Sequence, residues 1–221
     1  MMPVDAFLDR LVAGQVSALD QAMLASCPVA VVPGTSPFVP LDAPGRRLLL
    51  AKDGVYLEGR SHVLSCRIRL TQCALPFGTL TQDVALVGQP MPRAIFERLA
   101  GMALAAHPNE MAAVVVRDPD GTDRTHVPEQ RGTVGAVSYD DSEVDETRLV
   151  FDAHSHGPFD SVFSTTDDFS DRSRIGPHIS LLFGNCQSPS SLRVAARICL
   201  GGHLSAIGVE ALGALFDTGL A

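Results

Sequence analysis

The chain has almost no lysine. Its 17 basic residues are nearly all arginine, against 25 acidic ones, for a net charge of −8. No Lys/Arg cluster stands out, which argues against nucleic acid or an anionic membrane as the main partner. A C-x-x-C pair is missing too. The five cysteines, Cys27, Cys66, Cys73, Cys186 and Cys199, are odd in number and have no histidine partner at a suggestive spacing. They are expected to be buried or free thiols in a reducing cytosol, and not a nucleophile. No apolar run reaches the roughly 18 residues that a membrane helix needs. The opening MMPVDAFLDR lacks the basic segment and apolar core of a secretory signal. Repeats are absent, and the expected location is cytoplasmic.

What remains is ordinary for a globular protein: 221 residues, 46% apolar and 19% charged, enough for one large domain or a domain with an extension. Phe7, Leu8, Leu11, Val12, Val16, Leu19 and Met23 recur at near-helical spacing, so residues 3–25 predict a short amphipathic helix interrupted by Gly14. Prolines and glycines across 28–45 break regular structure. RLLLAKDGVYLEG reads as a hairpin turning at Asp53-Gly54, and SHVLSCRIRLTQ as a half-buried strand with Leu64, Cys66, Ile68 and Leu70 on one face. LPFGTLTQDVALVG looks like a further strand pair. Residues 1–88 are thus expected to form a β-rich, mostly antiparallel N-terminal domain without assignable chemistry.

Pro90 and Pro92 mark a boundary, and 89–221 is read as a second domain. Ile95, Phe96, Leu99, Met102, Ala103 and Ala106 give an amphipathic helix over Arg93–Ala106, stopped by Pro108. Glu110–Arg117 reads as a buried strand, followed by a turn at Asp118–Gly121 and a strand around Arg124–Pro128. Asp140–Glu146 is an acidic loop of the kind that is usually only solvated. Strands are expected at Arg148–His156, Ile179–Phe183 and Leu192–Leu200, and a short helix at Ser164–Arg172. The tail from His203 is ambiguous.

The chemistry concentrates in FDAHSHGPFDSVFSTTDDF, residues 151–169. His154 and His156 close an apolar run, Ser164 follows after seven residues and Asp167 three later: H-x-H-x7-S-x-x-D. Residues i and i+2 of a strand share a face, so both imidazoles can converge. Two imidazoles and a carboxylate leave a fourth position open for water, as a catalytic zinc requires. Each part has a bland alternative. H-x-H is often solvent-facing, and Ser164–Asp167 is also the pattern of a capping box. Asp168 and Asp171 are alternative ligands, and Asp152 shares the face of the histidines and could orient one. His178 is read as structural. The conjunction of order, spacing and strand–loop–helix context favours a metal.

These residues match every fixed position of the JAMM (JAB/MPN) metalloprotease motif, and the segment from roughly Pro90 to the C-terminus resembles that family. Known members cleave bonds after the C-terminus of ubiquitin or ubiquitin-like proteins. The family motif also needs a glutamate upstream, which Glu110 in HPNEMAAVVV supplies. The PNE junction and the β-rich N-terminal third resemble protein A of the bacterial PRTRC cassette. The resemblance implies an α/β (α+β mixed) fold, a mixed sheet sandwiched by helices, and Zn2+ on His154, His156 and Asp167. Glu110 would be the general base, and Ser164 would donate to the oxyanion. The implied substrate is a ubiquitin-like protein, with E1-like and E2-like proteins of the cassette as partners. A non-catalytic MPN-type scaffold and a small-molecule amide hydrolase are the alternatives. Loop residues 130–147 would hold specificity.

Overall fold

The computed structural model describes residues 17–174 and 176–217. Ser17 caps the first helix, α1 (Ala18–Ser26), accepting the Asp20 N–H at 3.1 Å. No residue of α1 is buried, and Leu19 and Met23 are exposed. The apolar face expected over 3–25 is therefore not buried in its described part; the rest lies outside the described residues.

Strands β1 (Val29–Val31), β2 (Gly45–Ala51), β3 (Gly54–Arg60), β4 (Leu64–Gln72) and β5 (Asp83–Leu86) form one sheet in that order. It is antiparallel except that β1 runs parallel to β2, inside a stretch expected to be irregular. The hairpin at Asp53-Gly54 joins β2 and β3 as expected, and Leu64, Cys66 and Ile68 of β4 are buried in alternation. The expected strand pair before Gly88 is a single strand, β5. Pro76 and Gly78 break its first half, which is held by bonds from Leu75 N–H to Lys52 O and from Gly78 N–H to Val32 O.

Helix α2 (Arg93–Ala106) opens the second half. A six-stranded sheet follows, ordered β13-β12-β11-β10-β6-β7. Its strands are β6 (Ala112–Arg117), β7 (Asp123–His126), β10 (Leu149–Ser155), β11 (His178–Gly184), β12 (Arg193–Leu200) and β13 (His203–Ala206). Only β10 and β11 pair in parallel, so the chain must cross over between them. That crossover carries α3 (Thr165–Ser173). Leu99 and Ala103 of α2 pack on one sheet face, with Ala113, Val115, Phe151, Ala153, Ile179, Leu181 and Phe183. Helix α3 covers the opposite face near β12 and β13, giving the expected mixed sheet between helices.

The ambiguous tail resolves into β13 and a short helix, α4 (Val209–Gly213), with Phe216 stacked on Phe151 at 5.5 Å. Residues 130–139, read as loop, contain a small hairpin, β8 (Gln130–Thr133) and β9 (Ala136–Tyr139). The two sheets share apolar clusters: Val63 and Leu64 join the α2 core, and Leu57, Cys66 and Ile68 meet Ile198 and Leu200. Arg117 ties the connection by donating to Val87 O and Gln89 O at 3.0 and 2.8 Å. Among the described residues no helix is long and apolar enough to cross a membrane.

Candidate metal centre

Strand alternation builds the site. In β10, Phe151 and Ala153 turn toward the α2 core, which leaves Asp152 and His154 on the α3 face. β10 is flanked by β11 and β6, with His154 opposite Leu182 and Ala112, so its imidazole starts from a fixed base. His156 lies just past the strand, where its N–H still donates to Phe183 O at 2.8 Å. The chain then turns at Gly157 with φ +51°, where a Cβ would overlap the Pro108 carbonyl oxygen.

The second component arrives on α3. Ser164 is its N-cap: Ser164 Oγ accepts the Asp167 N–H at 3.2 Å, and the Ser164 N–H donates to Asp167 Oδ2 at 2.6 Å. The capping box weighed against the metal reading is thus present, and it is what aims the Asp167 carboxylate. Asp167 Oδ1 lies 3.2 Å from His154 Nε2, and Oδ2 lies 3.3 Å from His156 Nε2. Ligands at tetrahedral angles around zinc, with bonds of about 2.0–2.1 Å, are about 3.3–3.4 Å apart. The two contacts run to different carboxylate oxygens, and one donor atom from each residue lies within 4.8 Å of the others, so the set fits zinc in kind and can close on one ion. His154 Nε2 is buried and has no partner in hydrogen-bond geometry, an orphan that a metal would satisfy. All three side chains are 13% exposed, open enough for access. The alternatives Asp168 and Asp171 are drawn away, held by Arg197 at 2.5 and 2.6 Å.

Glu110 reaches the same cavity from a different element. The strand expected to start at Glu110 starts at Ala112, because the β8–β9 hairpin takes over the backbone there. The Glu110 N–H donates to Thr133 O at 2.8 Å, and Ala112 exchanges two bonds with the Gln130 side-chain amide at 2.7 and 3.0 Å. A Cβ at Gly132 would overlap the Glu110 carbonyl oxygen, so the hairpin's approach depends on that glycine. Met111 N–H donates to the buried Ser155 Oγ at 3.1 Å, which fastens this segment to β10. The cavity, about 620 Å³, is lined by Glu110, His154, His156, Ser164 and Asp167, with Ala136 and Val137 of β9 on one wall and Phe159 and Val162 on another.

Electrostatics follow from this crowding. Burial pushes the Glu110 carboxyl above its ordinary value, against the pull of the two imidazoles. Burial works against the charge of Asp167 as well, but the imidazoles beside it win and hold its carboxyl far below the usual range. The Asp167 carboxylate in turn raises His156.

Asp152, expected as a possible support for an imidazole, is used elsewhere. Its carboxylate accepts from Arg174 Nε at 3.0 Å and faces the Tyr139 hydroxyl at 3.5 Å. Arg174 also bonds Glu146 at 2.9 Å and pairs with Asp141, so the acidic loop is partly neutralised and not simply solvated. Phe163 escaped the sequence reading. Its ring lies 6.2 Å from that of His154 and carries the Arg197 guanidinium at 3.8 Å, and the only signal was an apolar residue between the motif's fixed positions.

Residues 92–197 match the family described as prokaryotic homologs of the JAB domain. This segment is a JAB domain. Glu110, His154, His156, Ser164 and Asp167 all fall inside it, as do α2, α3 and every strand that touches the cavity. Residues 17–87, the five-stranded sheet, match a domain of unknown function, DUF2016. No curated protein matches the chain.

Proposed function

We propose that this chain is a zinc-dependent hydrolase that cuts a peptide or isopeptide bond next to the C-terminus of a ubiquitin-like protein. The observation that carries the reading is the orphaned His154 Nε2, set with His156 and Asp167 at zinc-ligand separations in one cavity with Glu110. A bound zinc would supply a Lewis acid and a water whose pKa drops from 15.7 to about 7. Glu110 is half-buried and raised above an ordinary carboxyl, which suits a base that takes a proton near neutrality and returns it to the leaving amine. The Ser164 hydroxyl, accepting the Asp167 N–H, keeps its own proton free to donate to the developing oxyanion of the scissile carbonyl.

The cavity suits an extended tail. Among the described residues β9 pairs only with β8, and Gly135, Ala136 and Val137 line the cavity with small side chains. A tail added along β9 would gain main-chain hydrogen bonds, and terminal glycines would let its backbone approach the metal. Exposed Phe159 and Val162 offer apolar contact across from it. The net charge of −8 favours a partner with a basic face. The resemblance to protein A of the PRTRC cassette nominates that cassette's ubiquitin-like protein as substrate, and its E1-like and E2-like proteins as partners. Cytoplasmic location follows from the same reading.

The test is to incubate the zinc-loaded chain with the cassette's ubiquitin-like protein bearing a C-terminal extension and to follow its mass. A product ending at the native C-terminus supports the proposal. Tight binding without cleavage would make the chain an MPN-type scaffold, and turnover of small acylated amines alone would make it a small-molecule amidase.

A further inference from the structure

Beyond this centre, three buried side chains converge behind the cavity wall. Asp171 of α3 lies one turn past Asp167, and His178 of β11 stands directly opposite Cys199 of β12. All three are buried, and their donor atoms lie within 4.8 Å of one another. We propose that Asp171, His178 and Cys199 form a second, structural site for a zinc-like divalent ion, separate from the cavity's His/His/Asp set.

The argument starts at His178. Its side chain is 1% exposed, and Nδ1 lies 3.2 Å from Gly176 O, a carbonyl that can only accept. With the proton held there, Nε2 presents a lone pair inward, the arrangement that metal-bound histidines adopt. Nε2 has no hydrogen-bond partner, and the nearest carboxylate oxygen, Asp171 Oδ1, is 3.9 Å away. Two electron-pair donors face each other, and the donor beside them is the Cys199 thiol, whose proton an arriving ion would displace. A cation satisfies both, and a separation of 3.9 Å closes to the ~3.4 Å of tetrahedral zinc by a small side-chain rotation. The mixed S, N, O donor set favours zinc over magnesium or calcium.

Charge balance agrees. Asp171 Oδ2 is held by Arg197 Nε at 2.6 Å, and Arg197 also pairs with Asp168. Asp168, Asp171 and a Cys199 thiolate set against Arg197 and the more exposed Arg172 leave a net negative cluster, which a divalent ion offsets. Burial and Asp171 push the Cys199 thiol well up, so it stays protonated until an ion arrives. Binding then breaks the S–H bond, forms an S–metal bond and releases one proton to solvent. Asp171 also lines the cavity, which gives the ion an entry path. The bound ion would fasten α3, which carries Asp167 and whose N-cap is Ser164, to β11 and β12. The competing occupant is a proton on His178, which would also separate the two acceptors.

Cobalt distinguishes the two sites, because the His154/His156/Asp167 set contains no sulfur. The full chain, stripped of metal and kept reduced, is titrated with Co2+. The expected result is a near-ultraviolet thiolate-to-cobalt band that saturates by two equivalents, one for each site, and disappears when zinc is added. Cys199→Ser should abolish the band, and His178→Gln should weaken the band-forming affinity at least about tenfold. Should Cys199→Ser not fold, the Cys27→Ser/Cys73→Ser variant, which lacks the two half-buried thiols, must keep the band at full strength. No band in the wild type overturns the site, as does a band that survives in Cys199→Ser or is lost with Cys27 and Cys73. Failure here leaves the hydrolase reading intact, since its ligands are silent in this absorption.

Discussion

The two sheets treat buried polar groups differently. In the five-stranded sheet, Glu58 is fully buried, yet it accepts from Arg47 Nε at 2.6 Å and Leu41 N–H at 3.4 Å, with Arg67 at 3.8 Å. Phe38 lies under both guanidiniums at 5.4 and 5.3 Å. The Tyr56 hydroxyl has Asp53 and Leu80 O within 3.1 Å. Among the described residues, the buried side-chain atoms without a hydrogen-bond partner all belong to the second half: His107 Nδ1, Thr125 Oγ1, His154 Nε2, His178 Nε2, Ser180 Oγ and Arg197 Nη2. An unsatisfied buried group costs about 1–3 kcal/mol, so a fold tolerates it where a ligand repays the loss. The first sheet is charged inside but closed. The second is left open on the α3 face, where His154 Nε2, His178 Nε2 and Ser180 Oγ gather, whereas Arg197 Nη2 on that face is ion-paired with Asp171 at 2.6 Å.

Substitutions can break or sharpen this contrast. The largest effect is expected at the open centre: His154→Ala should lower bound zinc there from about one ion per chain to near none, read by elemental analysis with Co2+ absorption separating the sulfur-bearing site. Glu58→Gln, in the closed sheet, should leave both metal counts unchanged. Equal metal loss in the two variants would erase the distinction.

Next comes Glu110→Gln, which keeps size and spares the ligands. Zinc should remain while turnover falls by about two to four orders of magnitude. Loss of zinc in this variant would make Glu110 a ligand.

Stability tests the closed networks. Arg174→Ala strands Asp152, whose side chain is 5% exposed, and should cost about 3–5 kcal/mol in denaturant unfolding. Glu58→Gln should lie near the low end of that range, because its two arginines keep 21% and 14% exposure. A cost under ~1 kcal/mol for either would show that the network is not holding its sheet.

The smallest effect is in pH. Burial raises the Glu110 carboxyl, so its ionised fraction, and with it the rate, should fall as pH drops through a value above the ordinary 4.5. That acid limb should vanish in Glu110→Gln. A raised carboxyl favours folding below its unfolded value and loses that contribution as pH rises through its folded one. Metal-stripped Glu110→Gln should therefore be no less stable than wild type at pH 7, and a clear loss would contradict the sign.

The local periodicities were enough to set out the centre. Alternation alone put His154 on the opposite face from Phe151 and Ala153, and the S-x-x-D spacing announced both a capped helix and a carboxylate at its first turn. Helix α2 and the alternating face of β4 were legible for the same reason: each is decided by neighbours three, four or two residues away. What could not be read depends on partners distant in sequence. The β8–β9 hairpin has strands of only four residues, and its docking rests on Gln130 meeting Ala112 and Gly132 meeting Glu110. The acidic loop is quieted by Arg174, about thirty residues on, and the buried trio exists only because the parallel crossover sets α3 against β11 and β12. Asp167, Asp168 and Asp171 are chemically alike in the sequence. The S-x-x-D count favours Asp167, and tertiary structure supplies the physical separation, by placing Arg197 beside two and the imidazoles beside the third.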